Sequence, residues 1–175
     1  MASKSTPTQY GTVAVTIHWL AAALIIWLLV SGKIMSNAVD EAFIRTILQF
    51  HAPAGILVLL LTFFRIFWWW KKDTKPSAIG NDPKWQKLLA KIIHYAFYFA
   101  IIIMGGSGIG LIRLAGGPSV IFGEGSLPAF HELQPHFMHH NVSKILFIML
   151  ILHAGAALFH QFIKKDGLIG RMWYK

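Results

Sequence analysis

No cysteine occurs among the 175 residues. Disulfides, thiolate zinc sites, iron–sulfur clusters and the C-x-x-C-H attachment of c-type haem are thereby excluded. Any resident metal must rest on His, Met or carboxylate. Acidic residues are scarce too, seven Asp and Glu against 16 Lys and Arg. None of the seven falls in the four long apolar stretches, roughly residues 12–32, 46–70, 88–114 and 138–163. A histidine-lined metal-ion transporter is therefore disfavoured, because ion pathways commonly use intramembrane carboxylates. The opening MASKSTPTQY lacks the basic start and small-residue cleavage site of a secretory signal, so the first apolar stretch is expected to be retained.

What the chain does have is apolar length. It is 55% hydrophobic, with a mean hydropathy of +0.56. Each of the four stretches reaches the ~20 residues that cross ~30 Å of hydrocarbon as a helix. The expectation is an all-α integral membrane protein, one domain over residues 1–175 built as a four-transmembrane-helix bundle. Placing the N-terminus, the Arg65–Lys91 connection and the C-terminal tail on one side gathers twelve of the 16 basic residues there, against three acidic ones. The other side balances four against four. The positive-inside rule then puts both termini in the cytoplasm. The pI near 10.0 reflects a surface facing anionic lipid rather than a partner nucleic acid.

Two connections stand out. Lys71–Lys87 carries Pro76, Gly80, Asn81 and Pro83 and reads as a short loop. Ala115–Phe137 holds Gly116-Gly117-Pro118, Gly123, Gly125, Pro128 and Pro135, too broken for a long helix. Its length and its apolar Val120, Ile121, Phe122, Leu127 and Phe130 predict a segment folded over the outer end of the bundle. Trp68, Trp69, Trp70, Trp85, Trp173 and Tyr174 mark the interfacial aromatic belt. No internal repeat is evident.

The chemistry lies in the histidines. His139 and His153 are 14 residues apart in the last apolar stretch, which in a helix leaves them about 40° apart and about 21 Å separated along the axis. One helix thus offers an imidazole at each of two depths on one face. His18 lies just inside the cytoplasmic start of the first stretch and His51 just inside the periplasmic start of the second. Depth pairs His18 with His153 and His51 with His139, the arrangement needed to clamp two stacked b-type haems. His140 competes with His139, but 13 steps to His153 rotate its ring by a further 100°. Imidazole in hydrocarbon is costly and calls for a partner. Four that match in depth supply one another through iron.

Companions surround this set. Gly55 follows His51 by one turn, and Ala21, Ala22, Ala156 and Ala157 follow His18 and His153, small residues that let a flat macrocycle approach or simply pack helices. Gly105, Gly106, Gly108 and Gly110 give the third helix relief against the haems or a bend. Arg65 follows His51 by the same 14 steps. Its guanidinium reaches the depth of the cytoplasmic haem, where a propionate would serve as bidentate partner unless the side chain snorkels to the interface. His94 and His160 lie on the cytoplasmic side and could bond a propionate or a quinone carbonyl, or pack. His131 and His136 fall in or beside the periplasmic connection and are expected to be solvated.

These residues carry a resemblance. T-I-H-W-L at Thr16–Leu20, F-H-A-P-A-G-I at Phe50–Ile56, I-I-H-Y-A-F-Y at Ile92–Tyr98, H-H-N at His139–Asn141 and L-H-A-G-A-A-L-F-H at Leu152–His160 resemble the bacterial di-haem cytochrome b561 family, and within it the small superoxide oxidases. The resemblance covers essentially the whole chain. It implies a four-helix bundle whose haem ligands fall on His18, His51, His139 and His153, with two haem b as cofactors and a ubiquinone site near the cytoplasmic haem to which His160 contributes. It further implies an oxidoreductase passing electrons from periplasmic superoxide to ubiquinone. The alternative is a haem subunit relaying electrons between quinone and a periplasmic redox protein.

Overall fold

The computed structural model describes residues 2–77, 83–123 and 126–174. Gly80, Asn81 and Gly125, read above as turn residues, lie outside them, as do the charged Asp82, Glu124 and Lys175. Four long helices form the bundle: α1 (Thr12–Asn37), α2 (Glu41–Lys71), α3 (Lys84–Leu114) and α5 (Gln134–Phe159), with a single turn, α4 (Ser119–Phe122), between the last two. The four long ones have the length and composition to cross a membrane. Each runs several residues past its apolar stretch, because backbone groups at the membrane edge are best satisfied by continuing the helix. The Asp40 carboxylate caps α2 by accepting the Phe43 N–H at 2.9 Å. Pro135 sits in the first turn of α5, where its missing N–H costs nothing. Beyond Phe159 the chain winds as a π-turn over His160–Lys164.

The surface is apolar and the interior is thin. Phe50, Leu60, Phe99, Leu152 and Ile163 are among many large side chains turned outward, as a lipid-facing bundle requires. α1 packs chiefly on α2 and α3 on α5, with α2 and α3 joining the two pairs. One buried cluster, Ile25, Val58, Ala100, Ile101 and Leu146, draws on all four helices.

That cluster is the middle of three layers. Seven residues make almost two full turns and return a side chain to within about 20° of its starting face. Stepping by seven from the buried cluster gives His18, Ile25 and Gly32 on α1, and His94, Ile101 and Gly108 on α3. It also gives Arg65, Val58 and His51 on α2, and His153, Leu146 and His139 on α5. The layer nearer the termini, called inner below, therefore holds His18, Arg65, His94 and His153. The outer layer holds Gly32, His51, Gly108 and His139.

α1 and α3 share more than their spacing. Both read H-x6-I-I-x4-S-G, over His18–Gly32 and His94–Gly108. This repeat corrects the reading that none exists. It escapes notice because the intervening residues differ between the two helices.

Both ends are closed by chain segments. At the terminal end the Ser5 hydroxyl and N–H donate to Asp73 at 2.8 to 3.1 Å. Arg171 donates to the carbonyls of Thr8, Ser77 and Pro7, and the Trp19 indole donates to Met172 O at 2.7 Å. The N-terminal segment, the chain after α2 and the C-terminal segment thus lie at one end. At the other, Val120 and Ile121 pack on Leu48, while Arg45 and Gln49 donate to the carbonyls of Val120 and Ile121. The described part of the Ala115–Phe137 connection folds over the bundle as its apolar content predicted.

Candidate functional site

The layers bring four histidines into two facing pairs. His18 and His153 stand with ring centroids 6.3 Å apart and planes at 61°. His51 and His139 repeat the relation in the outer layer, at 6.4 Å and 60°. A metal–imidazole bond is about 2.0 Å and a ring nitrogen lies about 1.15 Å from its centroid, so two imidazoles sharing one metal have centroids about 6.3 Å apart. Direct N–H···N contact would draw them to about 5 Å. Both pairs are spaced for a shared ion, and neither is hydrogen-bonded across the gap. Among the described residues no three His, Asp or Glu converge on a metal-binding point. Two ligands per site is the number a porphyrin leaves to the protein.

No heavy atom lies within 4 Å of where a Cβ on Gly55, one turn after His51, would stand. The other small residues divide by role. Gly105 lets α3 approach Leu59, and Gly110 lets it approach Pro135, whereas Gly108 faces the His139 ring.

Ring nitrogens not needed for a metal have partners in the outer pair. His51 Nδ1 is 2.8 Å from the Ser31 hydroxyl. His139 Nδ1 lies 3.1 Å from the Ser107 hydroxyl and 3.2 Å from Met104 O. A carbonyl only accepts, so His139 carries its proton on Nδ1 and keeps the Nε2 lone pair free. In the inner pair His18 Nδ1 is 3.4 Å from Arg65 Nη1, and His153 is bounded by the rings of His94 and Phe97.

Arg65 is the charged centre of the inner layer. Its Nε is buried without a hydrogen bond. Its electrostatic neighbours include His18, His94, His153, Lys75 and Tyr98, none of them a carboxylate. Burial, then the charges of Arg65 and Lys91, push the Lys75 ammonium below its ordinary value. A field this positive inside a membrane bundle calls for an anion, and a carboxylate-bearing cofactor fits it.

The remaining histidines separate by position. His94 Nδ1 bonds Ala90 O one turn back, and its ring stands 5.5 Å from His153, edge on rather than across a metal-sized gap. His160 begins the π-turn, and its Nδ1 bonds the Asp166 carboxylate. Burial raises the Asp166 carboxyl, but the His160 hydrogen bond, the Leu168 N–H and nearby positive charge outweigh it and hold the group below the usual range. His140 is exposed and stacks on His136 at 5.5 Å and 11°, turned away from the pair that His139 makes.

Sequence reasoning missed Ser31, Ser107 and Asp166. The first two were visible as the only hydroxyls one residue ahead of a glycine in the H-x6-I-I-x4-S-G repeat. Asp166 had no such signal, because the π-turn and the left-handed Lys165 (φ 53°) bring it back to His160.

The family profile described as prokaryotic cytochrome b561 matches residues 9–175. Cytochrome b561 homolog 2 of Escherichia coli (strain K12) is 25% identical over 98% of this chain and 95% of its own. Cytochrome b561 homolog 1 of the same organism is 30% identical over 70% of this chain and 72% of its own. The probable superoxide oxidase CybB of Yersinia pestis is 26% identical over 95% of this chain and 97% of its own.

Proposed function

The chain belongs to the prokaryotic cytochrome b561 family, and from that premise we propose that it is a di-haem superoxide:ubiquinone oxidoreductase of the bacterial inner membrane with both termini in the cytoplasm. The observation that carries the reading is the pair of facing imidazole sets, 6.3 and 6.4 Å apart at two depths. His51 and His139 would hold one haem on the periplasmic side, and His18 and His153 one on the cytoplasmic side. Held by two imidazoles, each would supply outer-sphere one-electron transfer rather than a place to bind O₂.

The chain's other residues then have defined work. Arg65 receives a propionate, which satisfies its buried Nε. The segment around α4, clamped by Arg45 and Gln49, covers the periplasmic end and limits what can approach His51 and His139 to small species. At the cytoplasmic end His160, oriented by Asp166, donates to a quinone carbonyl and passes it a proton, and His94 lines the same approach. Overall, two superoxide anions, one ubiquinone and two protons give two O₂ and one ubiquinol, so charge and electrons balance. The similarity to a probable superoxide oxidase supports this substrate choice.

Two measurements on the purified, haem-loaded chain test the proposal. A pyridine haemochrome assay should return two haems per polypeptide. Stopped-flow mixing of the oxidised protein with superoxide should reduce the haem bands, and a soluble ubiquinone should reoxidise them. Bands that ignore superoxide unless a periplasmic redox protein is added would overturn the substrate and leave the relay reading in its place.

A further inference from the structure

The repeated Ser-Gly pairs, Ser31-Gly32 on α1 and Ser107-Gly108 on α3, meet the two outer imidazoles in the same way. Ser31 is fully buried, 0% exposed, and its hydroxyl donates to Leu28 O three residues back at 3.2 Å. The Ser107 hydroxyl donates to Met104 O, again three back, at 3.1 Å. With each hydroxyl proton committed to a carbonyl, the oxygen lone pairs face His51 Nδ1 at 2.8 Å and His139 Nδ1 at 3.1 Å. Each ring must therefore donate from Nδ1 and present Nε2 across the gap. The glycine beside each serine supplies space. A Cβ on Gly32 would lie 3.5 Å from His51 Cε1, and one on Gly108 would lie 3.2 Å from His139 Cε1.

Packing of small residues between helices would account for the glycines alone. It does not account for two hydroxyls, Ser31 buried and Ser107 half-buried, with the same donor and acceptor assignments, one per ring. Among the described residues the inner layer has no counterpart. There His18 Nδ1 has a guanidinium 3.4 Å away in place of a hydroxyl, and the equivalent layer positions of α1 and α3 are His18 and His94 themselves.

We propose that Ser31-Gly32 and Ser107-Gly108 are positioning elements for the outer haem, fixing the tautomer and tilt of His51 and His139 and making that haem the lower-potential one of the two. The inference rests on the reading that these histidines ligate haem. A hydrogen-bond acceptor on Nδ1–H makes an imidazole a stronger electron donor through Nε2 and so stabilises ferric iron. Arg65, a fixed positive charge in the inner layer, favours the ferrous form there. The two effects have opposite sign at the two depths and direct electrons from the outer layer to the inner.

The test is potentiometric titration and low-temperature EPR of the haem-loaded full chain carrying Ser31→Ala, Ser107→Ala or both. Each single change should raise the outer midpoint, by about threefold in the ferrous:ferric ratio at fixed potential, and the double by about tenfold, equivalent to about 59 mV for one electron. The inner midpoint should stay put, and the outer low-spin EPR signal should change as the rings are freed to turn. Gly108→Ala should perturb that signal more than Gly32→Ala. Ser107→Cys, nearly isosteric with a weaker acceptor, should shift the outer midpoint in the same direction by less, which keeps the test open if the double variant binds haem poorly. Unchanged outer midpoint and EPR in variants that retain both haems would overturn the inference. Retention of both haems by His139→Ala would instead overturn the ligand assignment beneath it.

Discussion

His18 on α1 and His153 on α5 hold their ring centroids 6.3 Å apart, a separation suited to an intervening metal. Because His51 and His139 make the outer pair independently, the two sites should be separable by mutation. His153→Ala should lose one of two haems and keep the outer absorbance and EPR signals; His139→Ala should do the converse. Haemochrome content falling from about two to about one per chain checks both, since two axial ligands are what hold a b-type haem to the protein. Simultaneous loss of both haems from either variant would mean the levels are not independent.

Arg65 supplies a second prediction. Its unpaired, buried Nε places a full positive charge beside the inner pair. Arg65→Met should therefore lower the inner haem's midpoint, by about tenfold in ferrous:ferric ratio, or about 59 mV. Arg65→Lys, which keeps the charge but cannot make a bidentate contact, should retain most of the potential while weakening haem retention. An inner midpoint that does not move in Arg65→Met would remove the electrostatic role assigned to this residue.

The bundle and its histidine depths were legible because both depend on short-range rules. Apolar length marks a span, and the 14-residue step from His139 to His153 and from His51 to Arg65 keeps one helix face across its thickness. The choice of His139 over His140 followed from rotation alone, and the structure turns His140 outward onto His136. What could not be read depends on contacts between helices. Ser31 meets His51 only because α1 packs on α2, and Ser107 meets His139 only because α3 packs on α5. A serine in an apolar helix usually satisfies itself on a carbonyl of the preceding turn, so the repeat marks the two serines without showing which ring each meets. Asp166 reaches His160 through a π-turn and one left-handed residue, neither of which apolar periodicity encodes.

The cap at the terminal end should be acid-sensitive through Asp73. Burial raises its carboxyl, but the hydroxyl and N–H of Ser5, the N–H of Thr74 and the Trp68 indole together hold it below the usual carboxylate value. A group whose folded pKa is depressed contributes stability above its unfolded value, about 3.9, and loses it as pH falls through the folded one. Hydrogen exchange in the Ala2–Gly11 segment should therefore accelerate below about pH 4. Asp73→Asn should exchange faster at neutral pH and show a flatter dependence, Asp166 contributing the slope that remains. Identical pH profiles for the two proteins would refute the assignment.

Asp166 offers the cleanest separation of the two half-reactions. Its carboxylate bonds His160 at the terminal end, beyond the inner pair, whereas superoxide is proposed to react at the opposite, covered end. Asp166→Asn keeps the shape but gives up the carboxylate that accepts from the His160 ring. If His160 passes a proton to the reduced quinone, that step should slow by about 10²-fold, at the lower end for a positioned acid or base. Reduction of the haem bands by superoxide should be unchanged. Stopped-flow traces with and without soluble ubiquinone resolve the two. Equal slowing of both phases would point to a general disturbance of the bundle, and an unaltered reoxidation phase would take His160 and Asp166 out of the proton path.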